Sequence, residues 1–392
     1  MRIALTAEQE QLHDELREYF AKLMTPDIKQ ALASSDEGDH GNPGVYKKVL
    51  RQIGSDGWLG IGWPKEYGGQ GRSTLDQLIF SDEADVAGMG PIPWLALSAV
   101  GPTIMAYGTE EQKKRFLPRI VNGEVIVSIG YSEPDAGTDL AMLKTRAVRD
   151  GDDYVINGQK MWVTFAEYAD YLWLAARTDP DAQRHNGISV FLVPTDTPGL
   201  RWSRVNTMGE RTTVAYFDDA RVPAENLVGG ENQGWRLVTN QLNHERAMIG
   251  SPAELQSLLR RVVQWAADKR LPDGTRVIDQ QWVRMNLARI HAGAEFLKLI
   301  TWEIATSEAV NPAKSSVAKV YASEFTVEAH RLAMEVLGAG AVIQEDSVGA
   351  ELRGHLEFTY RLALVRTFGG GTNEIQRDII VTAALGMPRA PR

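Results

Sequence analysis

KTRAVRDGDDYVINGQKMWVTF (144–165) is the stretch that decides the class of fold. Polar residues alternate with β-branched and aromatic ones, as on half-buried strands. Asp150-Gly151 and Asn157-Gly158 interrupt the alternation, and both dipeptides favour the positive φ of tight hairpin turns. The β pattern extends outward on both sides. VIVSIGY (125–131) is a short β-branched run, while GISVFLVP (187–194) and TTVAYFDDARVP (212–223) are stopped by Pro194 and Pro223. The chain from about Glu124 to Gly230 is therefore expected to form strands.

Further outward the period changes to that of helices. From Thr6 to about Gly123, Leu12, Leu16, Tyr19, Phe20 and Leu23 recur at spacings of three and four, and WPKEYGGQG (63–71) and GMGPIP (88–93) act as joints. After Gly234 the spacing predicts helices over 235–270, 278–309, 313–337 and from about Asn373 to Leu385. Gly338-Ala339-Gly340 and Gly369-Gly370-Gly371 break the last stretch. No repeat of twenty to fifty residues is present. The order is α, then β, then α: an α+β chain.

Composition narrows the function classes. The 392 residues are 43% hydrophobic and 24% charged, as in a globular protein of two or three domains. A net charge of −9 argues against a nucleic-acid partner. The absence of cysteine excludes disulfides, thiolate nucleophiles, iron–sulfur clusters and Cys-ligated zinc. The seven histidines are scattered, with no His-x-x-x-His pair, so no metal site is expected. The amphipathic start is unlike a signal segment, and no apolar run approaches the roughly 18 residues of a membrane span, which points to a cytoplasmic protein.

Four local patterns carry candidate chemistry. In YSEPDAGTDL (131–140), Gly137 and Thr138 form a turn whose backbone N–H groups could receive a cofactor or phosphate oxygen; an ordinary strand-to-loop turn reads the same way. In QKMWVTF (159–165), Trp162 and Thr164 lie two apart and so share a strand face, suited to a flat heteroaromatic ring or to cross-strand packing. In NQGWRLVTNQLNHERAMIG (232–250), Val238, Leu242, Glu245 and Ile249 share one helical stripe. A carboxyl on an apolar stripe is either a raised-pKa base or the partner of an arginine such as Arg246. In TFGGGTNEIQR (367–377), Thr372 is a plausible N-cap behind three glycines that would let a ligand, or a hinge, use the backbone.

In this order, WPKEYGG, YSEPDAGTD, GQKMWVT and GGGTNEIQR resemble the acyl-CoA dehydrogenase family across essentially the whole chain. The resemblance implies an N-terminal α-helical domain (1–123), a middle β domain (124–234) and a C-terminal four-helix bundle (235–392). It implies FAD, with Tyr131, Ser132, Gly137, Thr138, Trp162, Thr164, Thr372 and Glu374 around the cofactor. Thr138, Asn243 and Arg246 would meet the acyl-CoA substrate, and the backbone N–H of Gly370 would bind the thioester carbonyl. Reduced cofactor would pass its electrons to an electron-transfer flavoprotein.

Two departures from the family pattern are informative. The position that usually carries the carboxylate base is Gly370. LNHER (242–246) instead resembles a minority of the family, isovaleryl-CoA dehydrogenase among them, with the base on the helix opening the C-terminal domain; this makes Glu245 the implied base. The family's Arg-x-x-Phe-Gly and Gln-x-x-Gly-Gly, which reach a neighbouring subunit's FAD, are replaced by GTRVIDQQ (274–281) and EVLGAG (335–340). The pattern resembles the heterotetrameric (α2β2) acyl-CoA dehydrogenases of actinobacteria that act on steroid side chains, the α subunit of the cholesterol side-chain enzyme type above all. A different second subunit is thus the implied partner. An acyl-CoA oxidase on the same fold, or a non-catalytic subunit shaping another's flavin site, are the alternative readings.

Overall fold

The computed structural model describes residues 3–32, 41–89, 95–208, 211–248, 251–307, 309, 311–345 and 347–388. Among the described residues the α-helices that come first are α1 (Ala7–Leu23), α2 (Pro26–Leu32), α3 (Pro43–Ser55), α4 (Thr74–Ala87), α5 (Gly101–Tyr107) and α6 (Glu110–Val121). Thr6 and Thr109 open α1 and α6 with capping boxes closed by Gln9 and Gln112, satisfying donors that a helix start leaves orphaned. The strands described next are β1 (Val127–Gly130), β2 (Arg146–Asp150), β3 (Asp153–Val163), β4 (Tyr171–Arg177), β5 (Ile188–Pro194), β6 (Leu200–Asn206), β7 (Arg211–Pro223) and β8 (Leu227–Val228). The last helices are α7 (Gly234–Met248), α8 (Pro252–Asp268), α9 (Gln281–Ala305), α10 (Pro312–Leu337), α11 (His355–Val365) and α12 (Asn373–Ala383).

The chain packs as two compact units. One holds residues 25–77 and 90–245; the other holds 1–24, 78–89 and 246–392. In the first, the strands form one sheet in the order β6-β7-β3-β2-β4-β5-β8, with β1 parallel to β4. β4 and β5 are apolar almost throughout and buried on both faces, whereas edge strand β6 is largely exposed. Tyr154, Ile156, Leu172, Leu174, Phe191 and Val193 form the sheet's core. In the second unit, α8, α9 and α10 interlock through Leu255, Val262, Ile290, Leu297, Leu332 and Val336.

Two local expectations need correction. Asp150-Gly151 does turn β2 into β3, with Gly151 at φ 64°. Asn157-Gly158, however, lies inside β3 as a bulge: the register with β7 shifts between Ile156 and Gly158. Asn157 is tied across the sheet to Asp219, its Nδ2 donating over 2.9 Å and its Oδ1 accepting the Asp219 N–H over 3.0 Å. The segment 235–270 is two helices, because Ser251 caps a new start and Pro252 occupies its first turn. Among the described residues, no helix is long and apolar enough to cross a membrane.

Candidate active site

The loop after β1 is built around a buried ion pair. Lys160 of β3 is fully buried and donates from Nζ to Glu133 Oε1 (2.7 Å) and to the Tyr131 carbonyl (3.0 Å). Glu133 also accepts the N–H groups of Lys144 (2.6 Å) and Thr145 (2.8 Å). Burial pushes the Lys160 ammonium down to about 8 against the pull of Glu133. Burial pushes Glu133 up, but the Lys160 charge and these bonds outweigh it and hold the carboxyl below its ordinary range. Met161 N–H donates to the Ser132 carbonyl (2.8 Å), so YSEPDAGTD and GQKMWVT are fastened together.

What this clamp presents outward is open backbone. Gly137 and Thr138 are exposed, and among the described residues their N–H groups have no acceptor. A Cβ at Gly137 would meet nothing within 4 Å, so the chain's own packing does not demand glycine there. Trp162 is 52% exposed and holds a left-handed φ of 62°. This corrects the shared-face expectation: register shifts between Lys160 and Val163, so Trp162 sits in a bulge and Thr164 lies past the strand end. Thr164 is half-buried, and its carbonyl accepts the Ser128 hydroxyl.

On α7, Val238 is buried, Leu242 and Glu245 are half-buried, and Ile249 lies outside the described residues. Glu245 Oε2 accepts a hydrogen bond from Gln241 Nε2 at 2.8 Å, one turn earlier. Tyr131 is buried, and its hydroxyl accepts from Trp173 Nε1 (2.8 Å). Burial, with the nearby Glu245 charge adding to it, holds that hydroxyl well above the ordinary tyrosine range. Asn243 is half-buried on the same helix, and burial lowers the pKa of His244.

The glycine loop belongs to the other unit. Gly370 and Gly371 take φ of 67° and 97°, and among the described residues neither N–H has an acceptor. Buried Arg246 donates from Nε to the Gly370 carbonyl (3.3 Å), which fixes that peptide and so aims the Gly371 N–H the opposite way. Thr372 caps α12, accepting the Ile375 N–H (3.3 Å), and Glu374 is exposed in its first turn. Fully buried Lys319 grips both ends of the loop, donating to the Thr367 carbonyl (3.1 Å) and Asn373 Oδ1 (2.7 Å). Gln376, itself held by Ser316 (2.9 Å), donates to the Gly371 carbonyl (3.5 Å).

Glu133, Lys160, Lys319 and Gln241 escape sequence reasoning, since charged and amide residues are exposed by default. Gln241 alone left a trace, four residues before Glu245 and so on its helical face.

Comparison with known proteins matches this arrangement along its length. The family models for the acyl-CoA dehydrogenase N-terminal, middle and C-terminal domains match residues 6–124, 128–220 and 232–385. Acyl-CoA dehydrogenase FadE26 of Mycobacterium tuberculosis is 57% identical over 402 residues, covering 100% of each chain. A chain in the crystal structure of the ChsE4-ChsE5 complex from Mycobacterium tuberculosis superposes with a TM-score of 0.91 at 57% identity and full coverage of both chains. The "Tcur3481-Tcur3483 steroid ACAD" gives 0.90 at 44% identity, again with full coverage of both. The chain belongs to the acyl-CoA dehydrogenase family.

Proposed function

We propose that this chain is the base-bearing subunit of an FAD-dependent, cytoplasmic acyl-CoA dehydrogenase, which forms an α,β double bond in the CoA thioester of a steroid side chain during cholesterol catabolism. Its segments 1–123, 124–234 and 235–392 act as N-terminal helical, middle β and C-terminal bundle domains. The observation that carries the reading is Glu245: a half-buried carboxylate on α7, oriented by Gln241, in a chain whose usual base position is glycine.

The residues present fit a flavin. Gly137 and Thr138 offer unused N–H groups to cofactor oxygens, and Trp162 offers an exposed ring on a backbone the chain's own packing does not favour. Thr164 adds a hydroxyl, Tyr131 and Ser132 back the loop, and Thr372 and Glu374 serve from the start of α12. When bound, the flavin supplies the acceptor for the hydride of the β C–H bond. Glu245 takes the α proton, so that the C–H bond breaks and an O–H bond forms on its carboxylate. The Gly370 N–H binds the thioester oxygen and stabilises the negative charge that grows there, a role that needs no side chain. Arg246 steadies the loop through the Gly370 carbonyl. Asn243 and Thr138 contact the substrate.

Support for a different second subunit comes from charges already committed within the chain. Glu335 is ion-paired with Arg331 and accepts from Asn286 Nδ2 (3.0 Å), while Arg276 makes a two-point bond to Asp279 (2.9 and 2.8 Å). Neither segment offers a spare cation to a neighbour's pyrophosphate. Trp282 and Met285, and three turns further on Phe296 and Leu299, stand exposed on one side of α9 with Arg289 between the two pairs, a surface for that subunit. An electron-transfer flavoprotein is the proposed acceptor.

The test is Glu245→Gln in the flavin-loaded protein, co-expressed with its partner. The variant should bind FAD and substrate yet lose dehydrogenation by about 10²–10⁴-fold. Near wild-type turnover would refute the base. A colourless complex would favour the non-catalytic reading, and peroxide formed in air would favour an oxidase.

A further inference from the structure

Gln241 is fully buried, and its two polar atoms are treated unequally. Nε2 donates to Glu245 Oε2 at 2.8 Å, while Oε1 has no hydrogen-bond partner among the described residues. Buried carboxamides normally satisfy both ends, so an orphaned acceptor calls for an explanation. Its orientation follows from the neighbour: an ionised Glu245 can only accept, and an amide oxygen turned toward it would meet like charge.

The neighbour's chemistry supplies the explanation. On the reading that Glu245 is the base, its carboxylate becomes a carboxylic acid once per turnover, and its need reverses from receiving a proton donor to finding an acceptor. Among uncharged side chains, a carboxamide meets both needs from one anchor by turning over about its last bond. Oε1 has no other bond to break when it does so. We infer that Gln241 is a positioning residue that holds Glu245 through both protonation states, with Nε2 serving the carboxylate and the idle Oε1 serving the acid. The proton itself moves only between the α carbon and Glu245; Gln241 exchanges one hydrogen bond for another. Among the described residues, Tyr131 feels the Glu245 charge and remains a neutral phenol, and His244 and Arg246 adjoin Glu245 on α7, the latter bonded to Gly370.

Gln241→Leu tests this in the flavin-loaded enzyme with its partner subunit, by kcat/KM against pH and by the anaerobic rate of flavin bleaching with acyl-CoA. Loss of the donor should raise the Glu245 pKa and move the acidic limb of kcat/KM upward by about one pH unit. Bleaching should slow by about 10-fold or more at neutral pH, with little change in substrate affinity. In the Glu245→Gln background the same substitution should cause no additional slowing. Gln241→Glu, which keeps the shape and adds a like charge, should move the limb further the same way and stands in if the leucine variant does not fold. An unmoved limb in the variant that folds, whether the rate is normal or uniformly lower, overturns the positioning role while Glu245 remains the base. Full activity in Glu245→Gln alone sinks the base reading on which this rests.

Discussion

Two loops in this chain carry backbone N–H groups with no acceptor among the described residues, and a fully buried lysine fastens each from behind. At the Tyr131–Asp139 loop, Lys160 meets a carboxylate that also takes two backbone N–H groups. At the Gly369–Gly371 loop, Lys319 grips a carbonyl and an asparagine oxygen, with Arg246 and Gln376 adding single bonds to glycine carbonyls. The first is a charge pair walled in by a sheet; the second is a set of separate bonds from helices to a loop. The sheet-side clamp should therefore fail abruptly when broken, and the helix-side clamp by degrees.

The largest test of this contrast removes the lysines. Lys160→Met strands Glu133 as a buried charge and should cost about 3–5 kcal/mol in chemical denaturation. Lys319→Met should cost about 2 kcal/mol, the scale of orphaning its acceptors. Equal losses would erase the distinction.

Glycines give an intermediate effect. A Cβ at Gly158 (φ 143°) would stand 2.7 Å from the Thr145 Cα, a backbone atom that cannot step aside. Gly158→Ala should cost about 2–3 kcal/mol. At Gly371 (φ 97°) the nearest obstacle is the movable end of Gln376, at 2.7 Å. Gly371→Ala should cost about 1 kcal/mol, with the larger effect on turnover. Thermal unfolding and steady-state rates on both variants decide the order.

The smallest effect concerns pH. Glu133 is held low, so the stability it contributes is present at neutral pH and is lost as pH falls through its folded value. Asp82, in the other unit, is pushed up to about 7, chiefly by burial, with the Glu83 charge adding and the bond from Ser251 and the Lys298 charge opposing. The unfolded chain releases that proton near the ordinary value of 3.8, so stability falls as pH climbs from there to about 7. Asp82→Asn should gain about 1 kcal/mol at pH 8 and almost nothing near pH 4, a figure reduced because Asp82 keeps some contact with water. Equal gains at both pH values, measured in urea, would contradict the assignment.

The α–β–α order was legible because hydrophobic period is a property of long segments. The half-buried place of Glu245 on α7 was legible too, because a carboxyl among apolar stripe positions stands out, as was the capping role of Thr372 before a helix rich in polar residues. Asn157-Gly158 misled because the dipeptide that suits a turn also suits a bulge; only the approach of Thr145 separates the two. Trp162 misled for a related reason, since one inserted residue shifts every face beyond it. Helix α11 went unnoticed between two glycine breaks. The two lysines were invisible: what buries a charge is a partner distant in sequence, Glu133 for Lys160 and Asn373 for Lys319.

The exposed side of α9 has a practical corollary. If the proposed second subunit covers Trp282, Met285, Phe296 and Leu299, it binds the folded chain and not the unfolded one, and mass action then ties the melting midpoint to how much of that subunit is present. Thermal midpoints become a titration curve: adding the partner in steps should raise them until stoichiometry is reached, and the plateau reports the composition of the assembly with no catalytic assay at all.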